Sequence, residues 1–230
     1  MSRIRETLSA MPPSARLIAT RRYAVWPLLS LSWPLFLAVW MLVQEGSSTK
    51  DPSSVLGNLV GLPLVVLACF LGVRIIASEC EQRTLEIAYT VPGGPHRIWV
   101  PKLFAAIAIL LVSELLLAVF VQIFLCDVSL SSLYGALQLA LFYLVLAMAL
   151  STFFRSVITG ALAVVAFVIL GFLAQMTPFS PFWNPLAQNP NAAEELFALT
   201  IKQRVGFALV TAALVALTFA RAQWREKMLS

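Results

Sequence analysis

The chain has 230 residues, of which 60% are apolar and only 12% are charged. This charged share is about half that of a soluble domain, and a compact soluble fold of this size cannot hide so much apolar surface from water. The composition excludes a soluble domain and predicts an all-α membrane protein. The net charge of +5 does not indicate nucleic acid as a partner, because the basic residues lie at the ends of apolar stretches, where they orient the chain and meet anionic lipids.

The first segment, residues 1–22, is basic and amphipathic. Ile4, Leu8 and Met11 recur at helical spacing before Pro12 interrupts the pattern. Such a segment is typical of a helix that lies in the membrane interface. The alternative is a frayed basic tail. Residues 23–230 are predicted to form one transmembrane domain.

That domain contains six stretches that approach the length of about 20 apolar residues needed to cross a bilayer. The predicted spans are residues 24–43, 55–77, 103–125, 132–153, 157–176 and 205–220. The basic residues favour one side of this arrangement and predict that both termini are cytoplasmic. They are Arg3, Arg5, Arg16, Arg21, Arg22, Arg74, Arg83, Arg97, Lys102, Arg155, Arg221, Arg225 and Lys227. The opposite side holds Lys50, Lys202 and Arg204.

The loop after the second predicted span carries the signals of a short helix. Ser78 followed by Glu81 has the spacing of a capping box, and Leu85 and Tyr89 lie on one apolar stripe. The run that begins at Pro92 ends the pattern. The sequence therefore predicts a helix of about three turns, residues 79–90, on the cytoplasmic face.

The segment 177–200, on the predicted outer side, is rich in proline and aromatic residues, among them Phe179, Phe182 and Trp183. It is too apolar for a loop in water and too often broken by proline for a full span. Irregular backbone at membrane depth survives only when protein or a cavity surrounds it. We predict a re-entrant outer hairpin before the last span, with an aromatic loop at the membrane interface as the alternative.

Glu114 lies near the middle of the third predicted span, where a charge costs about 2 to 3 kcal/mol on insertion scales. It should therefore face protein. One hypothesis places it on a substrate path or a dimer seam. The other makes it a protonated group that packs helices together, for example through a hydrogen bond to Gln138.

The residues needed for catalysis or metal binding are sparse. The single histidine, His96, lies in a cytoplasmic loop, and Cys69, Cys80 and Cys126 have no metal-ligand spacing. No glycine-rich phosphate loop is present. We predict a protein that is not an enzyme and that binds no metal or cofactor of its own.

The run from Glu79 to Glu86, followed by Pro92 and by Lys102 at the start of the third span, resembles the signature of type-2 ATP-binding-cassette (ABC) exporter permeases. Arg83 stands where that family usually has glycine. The layout of six spans, an amphipathic N-terminal helix and a broken outer hairpin is also similar to the family's. The resemblance covers nearly all of the chain.

The resemblance implies that the 79–90 helix is a coupling helix seated on a separate ATPase subunit. Its implied contact residues are Glu79, Glu81, Arg83, Thr84, Leu85, Glu86 and Tyr89. Two ATPase chains, which use ATP and Mg, and a second identical or related permease would complete the exporter. The outer hairpin would form the extracellular gate, with Phe179, Phe182 and Trp183.

The expected function is a permease subunit in the cell membrane that exports a hydrophobic or amphipathic substrate such as a lipid, drug or peptide. Membrane lipids are further partners. A non-transporting membrane anchor for a cytoplasmic complex is the first alternative. A membrane-embedded enzyme is a weaker one, because only one carboxylate lies deep in a span.

Overall fold

The computed structural model describes residues 30, 32–33, 35–36, 60–81, 96–124, 130–174, 180–182 and 193–223, with only the backbone at 130–132 and 193–196. The described residues form helices and turns, with no strand among them. We number six helices in chain order. They are α1 (Leu62–Arg74), α2 (Ala77–Glu81), α3 (His96–Phe124), α4 (Leu130–Phe154), α5 (Val157–Leu173) and α6 (Ala193–Ala222).

Three of these helices, α3, α4 and α6, contain stretches long and apolar enough to cross a membrane. They coincide with the third, fourth and sixth predicted spans. Helices α1 and α5 are apolar but shorter, with 13 and 17 residues. They coincide with the second and fifth predicted spans. The prediction of an all-α membrane protein is confirmed at this level. Nearly all of the first span and the N-terminal helix lie outside the described residues.

Helix α4 is the centre of the bundle and packs against α1, α3, α5 and α6. Its contact with α1 is close because Gly72 has no side chain: a Cβ atom there would lie 2.3 Å from the Leu144 carbonyl oxygen. Its contact with α5 is close at Gly160, where a Cβ atom would lie 2.5 Å from Ser151 Cα. Small residues at such crossings let helix backbones approach in lipid, where apolar side chains alone do not drive association.

The interior of the bundle lies between α1, α3 and α4. Leu64, Leu71, Leu110 and Leu144 are fully buried there. The outward faces of the same bundle are also apolar: Leu115 is 67% exposed and Leu173 is 74% exposed. Exposed apolar side chains in such number are expected on helices that face lipid rather than water.

A two-residue turn, Arg155–Ser156, joins α4 to α5. Arg155 adopts a φ of 55°, in the left-handed region. A residue other than glycine costs about 1 kcal/mol there. Because the turn is this short, α5 begins directly after α4 and packs against it.

Candidate functional site

The short helix α2 continues from α1 after a bend at Ile75 and Ile76. The Ser78 hydroxyl donates to the Arg74 carbonyl oxygen at 2.6 Å. The capping box predicted at Ser78 is therefore not formed: Ser78 lies inside α2, and the Glu81 carboxylate turns to a different helix. The reason is that the backbone before α2 already supplies carbonyl partners: Arg74 O accepts from the Ser78 hydroxyl, and Ile76 O in the bend accepts from Glu79 N–H at 3.0 Å.

Glu79 is buried between α2 and α3. Its Oε1 atom forms an ion pair with Lys102 Nζ. Its Oε2 atom accepts a hydrogen bond from Trp99 Nε1 at 2.7 Å. All three residues are less than 10% exposed. A buried ion pair of this kind holds only while both charges and the additional hydrogen bonds are present.

Glu81 connects α2 to the first turn of α5 through hydrogen bonds. Its Oε1 atom accepts from the backbone N–H of Val157 at 2.7 Å and from the Ser156 hydroxyl at 3.3 Å. Ser156 is the N-cap of α5, and its hydroxyl oxygen accepts from Thr159 N–H at 3.4 Å. A carboxylate at a helix N-terminus satisfies free N–H groups and interacts favourably with the helix dipole.

We call this arrangement the α2 junction; it consists of Glu79, Glu81, Trp99, Lys102, Ser156 and Val157. The carboxylates of Glu79 and Glu81 bind α2 to α3 and to α5, respectively. Sequence reasoning missed Trp99 and assigned Lys102 only to the start of a span. The one available signal was the opposite charge of Glu79 and Lys102 at the two ends of the same loop.

Cys80, between the two carboxylates, is partly buried, and its thiol donates to the Ile76 carbonyl oxygen at 3.8 Å. Burial, with the negative charge of Glu79 as a second cause, raises the pKa of the Cys80 thiol to about 11. The thiol is therefore protonated at neutral pH. Since thiolates are the nucleophilic form, Cys80 is poorly suited to covalent chemistry.

Replacing Glu81 with alanine is expected to lower the free energy of unfolding by about 1 kcal/mol, because α5 loses a carboxylate cap. Glu81→Gln, which keeps an oxygen acceptor, should lose less. Thermal unfolding of the purified protein in a mild detergent measures both variants. Equal stability of Glu81→Ala and the wild type would show that the cap contributes nothing.

Glu114 lies on α3, twelve residues beyond Lys102, which corresponds to roughly 18 Å along the helix. It is 7% exposed, and its Oε1 atom has no hydrogen-bond partner among the residues that the structure describes. The residue lines an open groove of about 520 Å³ between α3 and α4. Tyr134 and Leu137 form the α4 side of this groove.

Gln138 does not form a hydrogen bond with Glu114. Its Nε2 atom donates to the Arg204 carbonyl oxygen on α6 at 2.5 Å. The Arg204 guanidinium lies over the Tyr134 ring, 5.2 Å from its centroid. Gln138 thus contributes to the contact between α4 and α6. Glu114 lies apart from that contact.

The segment 180–182 packs at the end of α5 opposite the α2 junction. The Ser180 hydroxyl donates to Gly171 O at 2.6 Å, and Gln203 on α6 donates to Ser180 O at 3.0 Å. The Phe182 ring lies 5.6 Å from the Tyr143 ring. This part of the predicted outer hairpin is therefore held between α4, α5 and α6.

Several predicted site residues lie outside the described residues. They are Arg83, Thr84, Leu85, Glu86 and Tyr89 of the predicted coupling helix, and Phe179 and Trp183 of the predicted gate. Among the residues that are described, no three His, Cys, Asp or Glu side chains come together as a metal site.

Comparisons of this chain with protein-family models, with curated proteins and with solved structures found no match.

Proposed function

We propose that this chain is the transmembrane permease subunit of an ATP-driven ABC exporter. In this proposal the chain has six spans and two cytoplasmic termini in the cell membrane. The predicted helix 79–90 is a coupling helix that rests on an ATPase subunit. Two ATPase chains hydrolyse ATP with Mg, and a second permease chain completes the substrate path.

The observation that carries the proposal is the α2 junction. Helix α2 contains the first three residues of the predicted coupling helix 79–90, and its carboxylates contact two different helices of the bundle. A displacement of α2 would therefore move α3 and α5 together. Such a connection would transmit a movement of α2 to the rest of the bundle, as a coupling helix requires.

The exposed surface of α6 supports a second permease chain. Only 11% of the most apolar stretch of α6 is buried by the rest of the molecule, compared with 50% for α4. A helix with so little protein contact has room for lipid on one side and for a partner helix on the other. In the proposal, the exposed faces of two chains line a path for a hydrophobic or amphipathic substrate.

The contacts of Ser180 and Phe182 support an outer gate. A segment held by Gly171, Tyr143 and Gln203 would respond to movements of α4, α5 and α6. The gate assignment extends to Phe179 and Trp183 by the sequence resemblance.

A membrane anchor for a cytoplasmic complex is the main alternative function. It would use the same predicted docking helix but would need no substrate path. The buried Glu114 in an open groove favours the permease, because an anchor has no use for a carboxylate at that depth.

Where a neighbouring reading frame encodes an ATPase with a phosphate loop, the test is co-expression of this chain with that ATPase, followed by purification through a tag on this chain. We expect a complex of two permease chains and two ATPase chains that hydrolyses ATP. The double variant Arg83→Ala, Glu86→Ala should lower the amount of co-purified ATPase about tenfold, since it removes charged contacts at a predicted interface. Glu81 is left unchanged because it caps α5.

Lys202→Ala is the matched control, because Lys202 is an exposed basic residue far along the chain from the α2 junction. It should retain the ATPase fully. Failure of any neighbouring ATPase to co-purify would refute the proposal. A double variant that assembles and hydrolyses ATP like the wild type would refute the coupling-helix assignment.

A further inference from the structure

The groove between α3 and α4 combines an open apolar surface with a buried carboxyl group that has no hydrogen-bond partner within the described part of the chain. Eight residues line the groove. Glu114 is the one with a carboxyl group, and none of the eight is lysine, arginine or histidine. The others on α3 include Leu111 and Leu115, which are 46% and 67% exposed. The groove is therefore accessible, and the carboxyl group of Glu114 lies at its inner surface.

An ionised carboxylate without a partner in apolar surroundings is costly, and a positive charge beside it offsets much of that cost. No described side chain supplies this charge. Lys102 is already paired with Glu79, and Arg204 lies over the Tyr134 ring and is not part of the groove lining. A positively charged molecule that enters the groove would supply the complementary charge.

The rest of the groove surface indicates the chemistry of the uncharged part of that molecule. Leucine side chains on both helices favour an apolar group, and the Tyr134 ring is 53% exposed at the groove. Aromatic faces attract cations, and Tyr134 already accepts the Arg204 guanidinium in this way. A sugar or an anion would find neither a matching charge nor enough hydrogen-bond partners here.

We infer that this groove binds a lipophilic cation, an ammonium or phosphonium group on an apolar body, with Glu114 as its counter-ion. The inference concerns binding by this chain alone and does not require an ATPase partner. It adds a charge requirement to the hydrophobic or amphipathic substrate of the proposed function.

The test uses the full chain in lipid nanodiscs and radiolabelled tetraphenylphosphonium as the probe, with empty nanodiscs as the background. Wild-type protein should show saturable binding above this background. Unlabelled dodecyltrimethylammonium should displace the probe, whereas dodecanol, a neutral molecule with the same tail, should not at equal concentration. This comparison needs no variant and separates charge recognition from partition into lipid.

Glu114→Gln keeps the shape of the side chain and removes its charge. We expect about a 30-fold weaker affinity for the probe, as for the loss of one partner of a buried charge pair. Tyr134→Leu should weaken binding about two- to fivefold. Ile123→Gln, which places an amide on an exposed position of the same helix outside the groove lining, is the control and should bind like the wild type.

The inference is overturned if wild-type nanodiscs bind no more probe than empty ones, or if dodecanol competes as well as the ammonium compound. It is also overturned if Glu114→Gln binds normally, or if it changes the oligomeric state while wild-type protein shows no saturable binding, since the groove would then be a seam between two copies. Each result is independent of ATPase co-purification, so failure here and failure of the proposed function are distinguishable.

Discussion

Replacing Lys102 with methionine is expected to lower the free energy of unfolding by about 3 to 5 kcal/mol, the largest effect we expect from one side chain. The substitution leaves Glu79 buried without its counter-ion. A buried charge that loses its partner keeps its desolvation cost and loses the attraction that offset it. Thermal unfolding in mild detergent measures the loss. The readout is the fraction of protein that remains monodisperse after heating.

Lys202→Met provides the matched control, because it makes the same chemical change at an exposed position of α6. It should change stability by less than about 0.5 kcal/mol. The double variant Glu79→Gln, Lys102→Met removes both charges and should recover much of the loss, since a neutral amide can still accept from Trp99. If Lys102→Met is as stable as the wild type, the ion pair does not hold α2 to α3.

Adding a methyl group at Gly72 is expected to destabilise the bundle by about 1 to 3 kcal/mol, the range found for overpacked sites. The new Cβ atom would lie 2.3 Å from the Leu144 carbonyl oxygen and 2.7 Å from Ala147 Cβ. Neither atom is the end of a flexible side chain, so α1 must move away from α4. Gly160→Ala should behave similarly, because its Cβ atom would lie 2.5 Å from the backbone of Ser151.

Gly206→Ala is the control for both substitutions. A Cβ atom at Gly206 meets nothing within 4 Å, and the residue lies inside α6. Alanine there should stabilise the helix by about 0.5 to 1 kcal/mol, because glycine loses more backbone freedom on folding. Opposite signs at Gly72 and Gly206 in the same unfolding assay would confirm the close crossing. Stabilisation at both positions would contradict it.

Much of the helical layout can be predicted from the sequence because long apolar runs have few options in lipid. The predicted fifth span begins at Val157, as α5 does, and the predicted fourth span lies within α4. The packing could not be predicted in the same way. That Gly72 lies against Leu144 depends on how two helices cross, and no local pattern encodes a contact between residues so far apart in the chain.

The contacts of the α2 junction could not be predicted from the sequence either. The resemblance to ABC exporter permeases implies that Glu79 and Glu81 contact a partner protein. The structure gives both carboxylates contacts within the chain, to Trp99 and Lys102 and to the start of α5. Cap signals are local, so reasoning from spacing assigned Glu81 to its own helix. Glu114 was identified because a carboxylate inside an apolar run is conspicuous without any knowledge of packing.

The length of α5 has a consequence for the membrane around the protein. With 17 residues between Ser156 and Ala174, α5 is about 26 Å long. The hydrocarbon core of a typical bilayer is about 30 Å thick. In the proposed six-span arrangement, in which α5 crosses the bilayer, the lipid beside α5 would thin by a few ångströms, or the polar groups at its two ends would move toward the acyl chains, at a modest cost per ångström of mismatch. Bilayers of short-chain lipids should accommodate this side of the molecule with less deformation than those of long-chain lipids.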